Sequence, residues 1–287
     1  MITSGIAFET LPPCAVAVVG VPLDENSSFL RGPALAPRRI RDALQSGSAN
    51  WCTEDVEDLS ARTDWRDVGD LAPGSGAEAM AAIEQAIARL LARGANVLTL
   101  GGDHSITYPI IRAYAAAYPD LTILHIDAHP DLYDELDGQR FSHACPFARI
   151  MEEGLVKRLI QVGIRAMTPH QRDQARRFGV EVIPMRDYQP GLAFEIDGPV
   201  YVSLDLDALD PAFAPGVSHH EPGGFSVREV YNILRGVGAP IVGADLVEYN
   251  PVRDHADQTA MVAAKFYKEL VALLLRGAAQ AEQVRLC

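Results

Sequence analysis

Apolar runs of strand length alternate with amphipathic stretches along most of the chain. The runs are AVAVVGVP (15–22), NVLTLGG (96–102), LTILHID (121–127), LIQVGI (159–164), VEVIPM (180–185), VYVSLDLD (200–207) and PIVGADLVE (240–248). Most are rich in Val, Ile and Leu at successive positions, the pattern of parallel strands covered on both faces. Helical spacing is predicted over 36–46, 77–93, 105–117, 169–178, 226–236 and 258–276. In the second of these, Ile83, Ile87, Leu90 and Leu91 fall on one stripe. Segment 47–75 is less regular and reads as a strand plus a loop before the long helix. Such alternation predicts an α/β fold with a mostly parallel sheet and helices on both faces. No composition shift, linker or repeat divides the chain, so residues 1–287 are expected to form one domain.

Composition narrows the partners. The chain is 48% hydrophobic and 22% charged, with a net charge of −13 and a pI near 5.0. That balance suits a soluble globule and argues against nucleic acid or an anionic membrane as partner. The N-terminus has no basic region and no long apolar run, so no signal peptide is expected. The run LVALLL (270–275) is too short to span a bilayer. Cys14, Cys52, Cys145 and Cys287 show no paired spacing, which predicts free thiols in a cytoplasmic protein.

Chemistry concentrates in three segments: GGDHS (101–105), HIDAHPD (125–131) and SLDLDALDP (203–211). Each places its acids and histidines where an apolar strand ends, the edge at which open α/β sheets bind ligands. Asp127, His129 and Asp131 stand at i, i+2 and i+4, and Asp205 and Asp207 repeat the spacing. An extended backbone would point each set to one side. His104 follows two glycines, which would permit a tight turn. Buried carboxylates need positive charge, and two divalent ions would supply it. Two His and four Asp form a sulfur-free shell suited to Mn²⁺, with Fe, Co, Ni or Zn as alternatives. Six ligands are too many for one structural zinc.

At these residues the chain resembles the ureohydrolase family of arginases and agmatinases. GGDHSITYPI (101–110), HIDAHPDLYD (125–134), SHACPF (142–147), SLDLDALDPAFAPG (203–216), EPGGFS (221–226) and DLVEYNP (245–251) match family blocks, and the similarity runs from about Gly20 to Leu275. The resemblance implies a three-layer α/β/α sandwich with a parallel sheet of about eight strands. It implies two Mn²⁺ ions and hydrolysis of a guanidino compound to urea and an amine. One ion would be held by His104, Asp127, Asp131 and Asp205, the other by His129, Asp127, Asp205 and Asp207, with Asp127 and Asp205 bridging. Asp131 would also orient the attacking water, Glu248 would bind the guanidinium, and His143 would pass a proton to the leaving amine. Relatives form trimers or hexamers, so a homo-oligomer is expected.

The wording of the motifs is closest to agmatinase, which makes agmatine, cleaved to putrescine, the expected substrate. Small polar residues that mark arginases near the DAHPD loop are replaced by Tyr133, Gln139 and Phe141. Asp134, Glu135 and Asp137 would attract a distal ammonium, whereas Arg140 would favour a guanidino acid. A formiminoglutamase, a metal-binding paralogue without activity and a one-metal deacetylase are the alternatives. The chain departs from its relatives at Ala144, Cys145 and the pair His219–His220.

Overall fold

The structure is a computed structural model that describes residues 15–286, with side chains up to 280. Cys14, Cys287 and the segment expected to lack a signal peptide lie outside the described residues. Eight parallel strands form one sheet: β1 (Val16–Gly20), β2 (Trp65–Asp70), β3 (Asn96–Leu100), β4 (Thr122–Ile126), β5 (Arg158–Ile164), β6 (Glu181–Pro184), β7 (Val200–Asp205) and β8 (Ile241–Val247). Their order across the sheet is β2-β1-β3-β8-β7-β4-β5-β6.

Two cores, one on each face, make this an α/β/α sandwich. Helices α1 (Ala36–Leu44), α6 (Val227–Arg235) and α7 (Gln258–Leu286) bury Ile40, Ile233, Phe266 and Leu270 with Val16, Leu98, Leu124 and Val202. On the other face lie α2 (Gly76–Ala92), α3 (Thr107–Ala117), α4 (Pro146–Glu152) and α5 (Pro169–Phe178). They bury Ile83, Ile111, Ile150 and Ala175 with Ala17, Val97, Ile123 and Tyr201. Adjacent strand residues thus face opposite cores, which explains why the central strands are mostly apolar along their length.

Differences from the sequence expectation have local causes. Edge strand β2 is only partly buried, so its polar residues hide its strand character. Helix α4 opens with Pro146 and spans 7 residues in a stretch for which the sequence predicts no element. Helix α6 begins at Val227 rather than 226 because Ser226 is its N-cap, in a capping box with Glu229. Among the described residues no helix is long and apolar enough to cross a membrane. Cys52 and Cys145 are free.

The glycines before His104 serve space, not turn geometry. Neither Gly101 nor Gly102 has positive φ. A Cβ on Gly102 would lie 1.7 Å from the Leu23 carbonyl oxygen, and one on Gly101 2.5 Å from Val247. The chain leaving β3 is wedged against β8 and the segment after β1. Gly102→Ala is therefore expected to cost several kcal/mol through overpacking, of order 1–3 kcal/mol or more. Thermal unfolding checks this, and a variant as stable as the parent would contradict it.

Candidate metal centre

All eight strands run parallel, so β3, β4, β7 and β8 end on one edge of the sheet. His104, Asp127, Asp205 and Glu248 follow those ends. Neither carboxylate pair stays extended, as the spacing had suggested. Asp127 Oδ1 accepts the His129 N–H at 2.6 Å, and Asp205 Oδ1 accepts the Asp207 N–H at 2.7 Å. Each pair folds into a tight turn, and Asp131 bends back with φ 48°. The acids meet because the backbone curls, not because it alternates.

His104 Nδ1 is the focus. It lies 3.1 Å from Asp131 Oδ2, 3.1 Å from Asp205 Oδ2 and 3.3 Å from Asp127 Oδ2. It nevertheless makes no hydrogen bond and is buried. Its tautomer follows from its other nitrogen. Ser203 Oγ donates to Asp245 Oδ1 at 2.7 Å, so it accepts at 2.9 Å from His104 Nε2–H. In the neutral ring the Nδ1 lone pair then points at three carboxylate oxygens. Such a cluster is repulsive unless a cation or proton lies among the four atoms. Ligand atoms at about 2.0–2.2 Å from one first-row ion lie roughly 3.0–3.6 Å apart, the spacing found here.

A second group adjoins the first. His129 Nδ1 is 3.0 Å from Asp207 Oδ2 and 3.5 Å from Asp127 Oδ1. Both this trio and the trio His104, His125 and Asp127 have donor atoms within 4.8 Å of one another, close enough to hold an ion. Asp127 directs Oδ2 to the first group and Oδ1 to the second. Asp205 differs: Oδ2 faces His104 while Oδ1 takes the backbone N–H. The residues present therefore fit two cations, with Asp127 between them.

Titration follows from the same crowding. Burial works against a charged His104 and His129, but the surrounding carboxylates outweigh it and hold both far above the ordinary imidazole range. Burial, then Asp207 and Asp127, pushes Asp205 well up. Burial also lifts Asp207 to about 7, against the pull of His129. Like charges this close cannot all ionise without a counter-cation.

Above the cluster sits a cavity of about 190 Å³. His129, Asp131, His143, Asp205, Asp207 and Glu248 line it, while His104 and Asp127 lie fully buried beneath. Glu248 adopts φ 62° and accepts through Oε1 from His104 N–H at 2.9 Å and from His143 Nδ1 at 2.8 Å. Its Oε2 is buried with no partner. Burial opposes charge on His143, yet the Glu248 carboxylate, with Asp131 and Asp103 beyond, raises it to about 9. The other ring nitrogen, Nε2, meets Ser28 Oγ at 2.8 Å. Ser28, on the loop after β1, carries no signal in the sequence.

Several expected contributors stand elsewhere. Tyr133 lines the cavity, but Gln139 and Phe141 do not, and Phe141 stacks on Tyr108. Asp134, Glu135, Asp137 and Arg140 are also absent from its walls; Arg140 pairs with Glu152 at 2.9 Å. Cys145 is buried beside Gln139 O rather than in the pocket wall, whereas Ala144 lines it without strain. His219 joins the wall, its ring 5.2 Å from that of His143, and exposed His220 turns to Pro215 O.

Sequence reasoning missed a polar row beneath the centre. Thr99, Asp245, Ser203, His125 and Gln161 are direct register partners across β3, β8, β7, β4 and β5. All five are fully buried. Each is the odd polar residue in an apolar strand, which was the available signal. Two residues further along β4 and β7 come Asp127 and Asp205.

Known proteins share this arrangement of sequence and fold. The sequence model of the Arginase family matches residues 14–272. Arginase 2, chloroplastic/mitochondrial, of Arabidopsis thaliana is 46% identical over 275 residues, covering 89% of this chain and 79% of that one. The agmatinase of Bacillus anthracis is 33% identical over 270 residues, 89% of this chain and 90% of that one. The solved arginase of Medicago truncatula superposes with a TM-score of 0.85 at 42% identity, covering 93% of this chain and 90% of that one. The chain belongs to the arginase family of hydrolases.

Proposed function

We propose that the protein hydrolyses a guanidino compound to urea and an amine at a pair of Mn²⁺ ions. The single observation that carries this is the buried convergence of His104 Nδ1 with three carboxylate oxygens, directly below a cavity holding the unpartnered Glu248 Oε2. His104, Asp127, Asp131 and Asp205 would hold one ion; His129, Asp207, Asp127 and Asp205 the other. An all-oxygen-and-imidazole donor set suits Mn²⁺. Bound there, the ions supply Lewis acidity and a water acidic enough to ionise near neutral pH.

The remaining chemistry belongs to side chains. Glu248 Oε2 offers a buried negative charge to a guanidinium, a planar cation that donates from two nitrogens at once. Asp131, at the cavity wall, accepts a proton-bearing partner there and orients the nucleophile. His143 carries a proton on the cavity side of Glu248, held in place by Glu248 and Ser28. As the C–N bond breaks, that proton passes to the leaving nitrogen. The free thiols of Cys52 and Cys145 suit a reducing compartment such as the cytoplasm.

For the substrate we place arginine first. The 46% identical relative is named an arginase, against 33% for the named agmatinase. Two of the three positions that pointed away from arginine, Gln139 and Phe141, lie off the cavity. The second reading is agmatine, favoured by the motif wording. The acids expected to hold its ammonium do not line the cavity, and neither does Arg140, whose charge was the sequence argument for a guanidino acid. Urea release from arginine, agmatine, guanidinobutyrate and guanidinopropionate with added Mn²⁺ decides. Arginine should be cleaved fastest; no urea from any of them would refute the reading.

Glu248→Gln should lower kcat/KM by about a hundredfold or more, because a buried charge loses its partner. His143→Ala should lower kcat by about 10²–10⁴ while both ions remain bound; loss of an ion would mean His143 is a ligand.

Metal binding should also be linked to pH. His104, His129, Asp205 and Asp207 have raised pKa values, so near pH 7 they retain protons that the ions must displace. Affinity for Mn²⁺ is then expected to rise with pH through about 7, by roughly tenfold per unit for each proton displaced. Calorimetry in buffers of different ionisation enthalpy would read the protons released; none released would contradict the site.

A further inference from the structure

The buried pair Gln161 and His125 has no part in the reaction described above. Its hydrogen bonds leave one arrangement. Gln161 Nε2 is 2.6 Å from the Pro130 carbonyl oxygen. That oxygen only accepts, so the NH₂ end of the amide must face it; the flipped amide would set oxygen against oxygen. The same nitrogen is 3.0 Å from His125 Nδ1, which is therefore the acceptor. The single ring proton sits on Nε2, and Nε2 is 2.7 Å from Asp127 Oδ2. His125 thus donates to Asp127. Its ring is also clamped by Phe147, whose centroid is 4.0 Å away.

Asp127 is consequently held at both oxygens. Oδ2, which faces His104 Nδ1 at 3.3 Å, accepts from His125 Nε2–H, and Oδ1 accepts from the His129 N–H at 2.6 Å. A carboxylate held at both ends cannot rotate about its Cβ–Cγ bond. His125 and Gln161 are register partners on β4 and β5, so the sheet itself fixes their spacing. Although His125 lies close enough to count among the donors around His104, its two nitrogens are already committed to Gln161 and Asp127.

We propose that Gln161 and His125 are positioning residues: Gln161 selects the His125 tautomer, and His125 locks the plane of Asp127 so that its two oxygens serve two ions. The proposal rests on the two-metal reading. Outer partners of this kind contribute about 10–100-fold in metal affinity. Gln161→Met keeps the volume and removes the lock. His125→Phe keeps the packing on Phe147 and removes the donor. His125→Gln restores an N–H donor at similar reach.

The test is Mn²⁺ titration of the metal-free protein by calorimetry, with the electron paramagnetic resonance spectrum of the coupled pair and circular dichroism for folding. The wild type should bind two ions. Gln161→Met and His125→Phe should bind at least one of them 10–100-fold more weakly, with an altered spectrum, and His125→Gln should recover most of the loss. Wild-type affinity and spectrum in both folded variants would overturn the proposal while leaving the metal reading intact. If His125→Phe does not fold, Gln161→Met decides alone. A wild type that binds no Mn²⁺ would overturn the metal reading, and the positioning role with it.

Discussion

Four buried carboxylates with no Lys or Arg side chain to meet them constrain everything else in this molecule. The ion-pair partners of Asp127, Asp131, Asp205 and Asp207 are histidines, and no Lys or Arg side chain pairs with them among the described residues. Such a cluster costs several kcal/mol per ion unless charge arrives from outside. Two divalent ions would satisfy that demand, and under the proposed function the same ions would supply the chemistry a guanidinium needs. Under that proposal the requirement for stability and the requirement for function fall on the same atoms.

The fold meets this constraint from beneath. Strand ends deliver the acids to one edge, and the row Thr99–Asp245–Ser203–His125–Gln161 sets their orientation from within the sheet. Ser203 fixes which nitrogen of His104 is bare, and His125 fixes which way Asp127 faces. Local strain is stored at the same place. Asp131 and Glu248 both occupy the left-handed region, at φ 48° and 62°, a conformation that costs of order 1–3 kcal/mol each for such residues. The reward is convergence: Asp131 reaches back to His104, and Glu248 reaches both His104 and His143.

Seven of the strands were legible in the sequence because they are mostly apolar, six of them buried on both faces, and 47–75 still suggested the eighth. Edge strand β2 blurred because none of its residues is fully buried, and α4 because seven residues carry little periodicity. The six candidate ligands, His143 and Glu248 were legible from motif wording, and they do come together. Their manner of meeting was not, since tight turns at Asp127 and Asp205 replace the extended spacing. The polar row was hidden for a different reason. His125 and Gln161 are 36 positions apart and become partners only through strand register. Around the mouth, Tyr133, Gln139, Arg140 and Phe141 look alike in a sequence, but the loop turns only Tyr133 into the cavity.

Anomalous scattering from crystals grown with Mn²⁺ would locate the ions. Two peaks per chain are expected, one bonded to His104 Nδ1 and one to His129 Nδ1, with Asp127 contributing an oxygen to each. A single peak, or no peak beside His104 Nδ1, would contradict the two-metal reading.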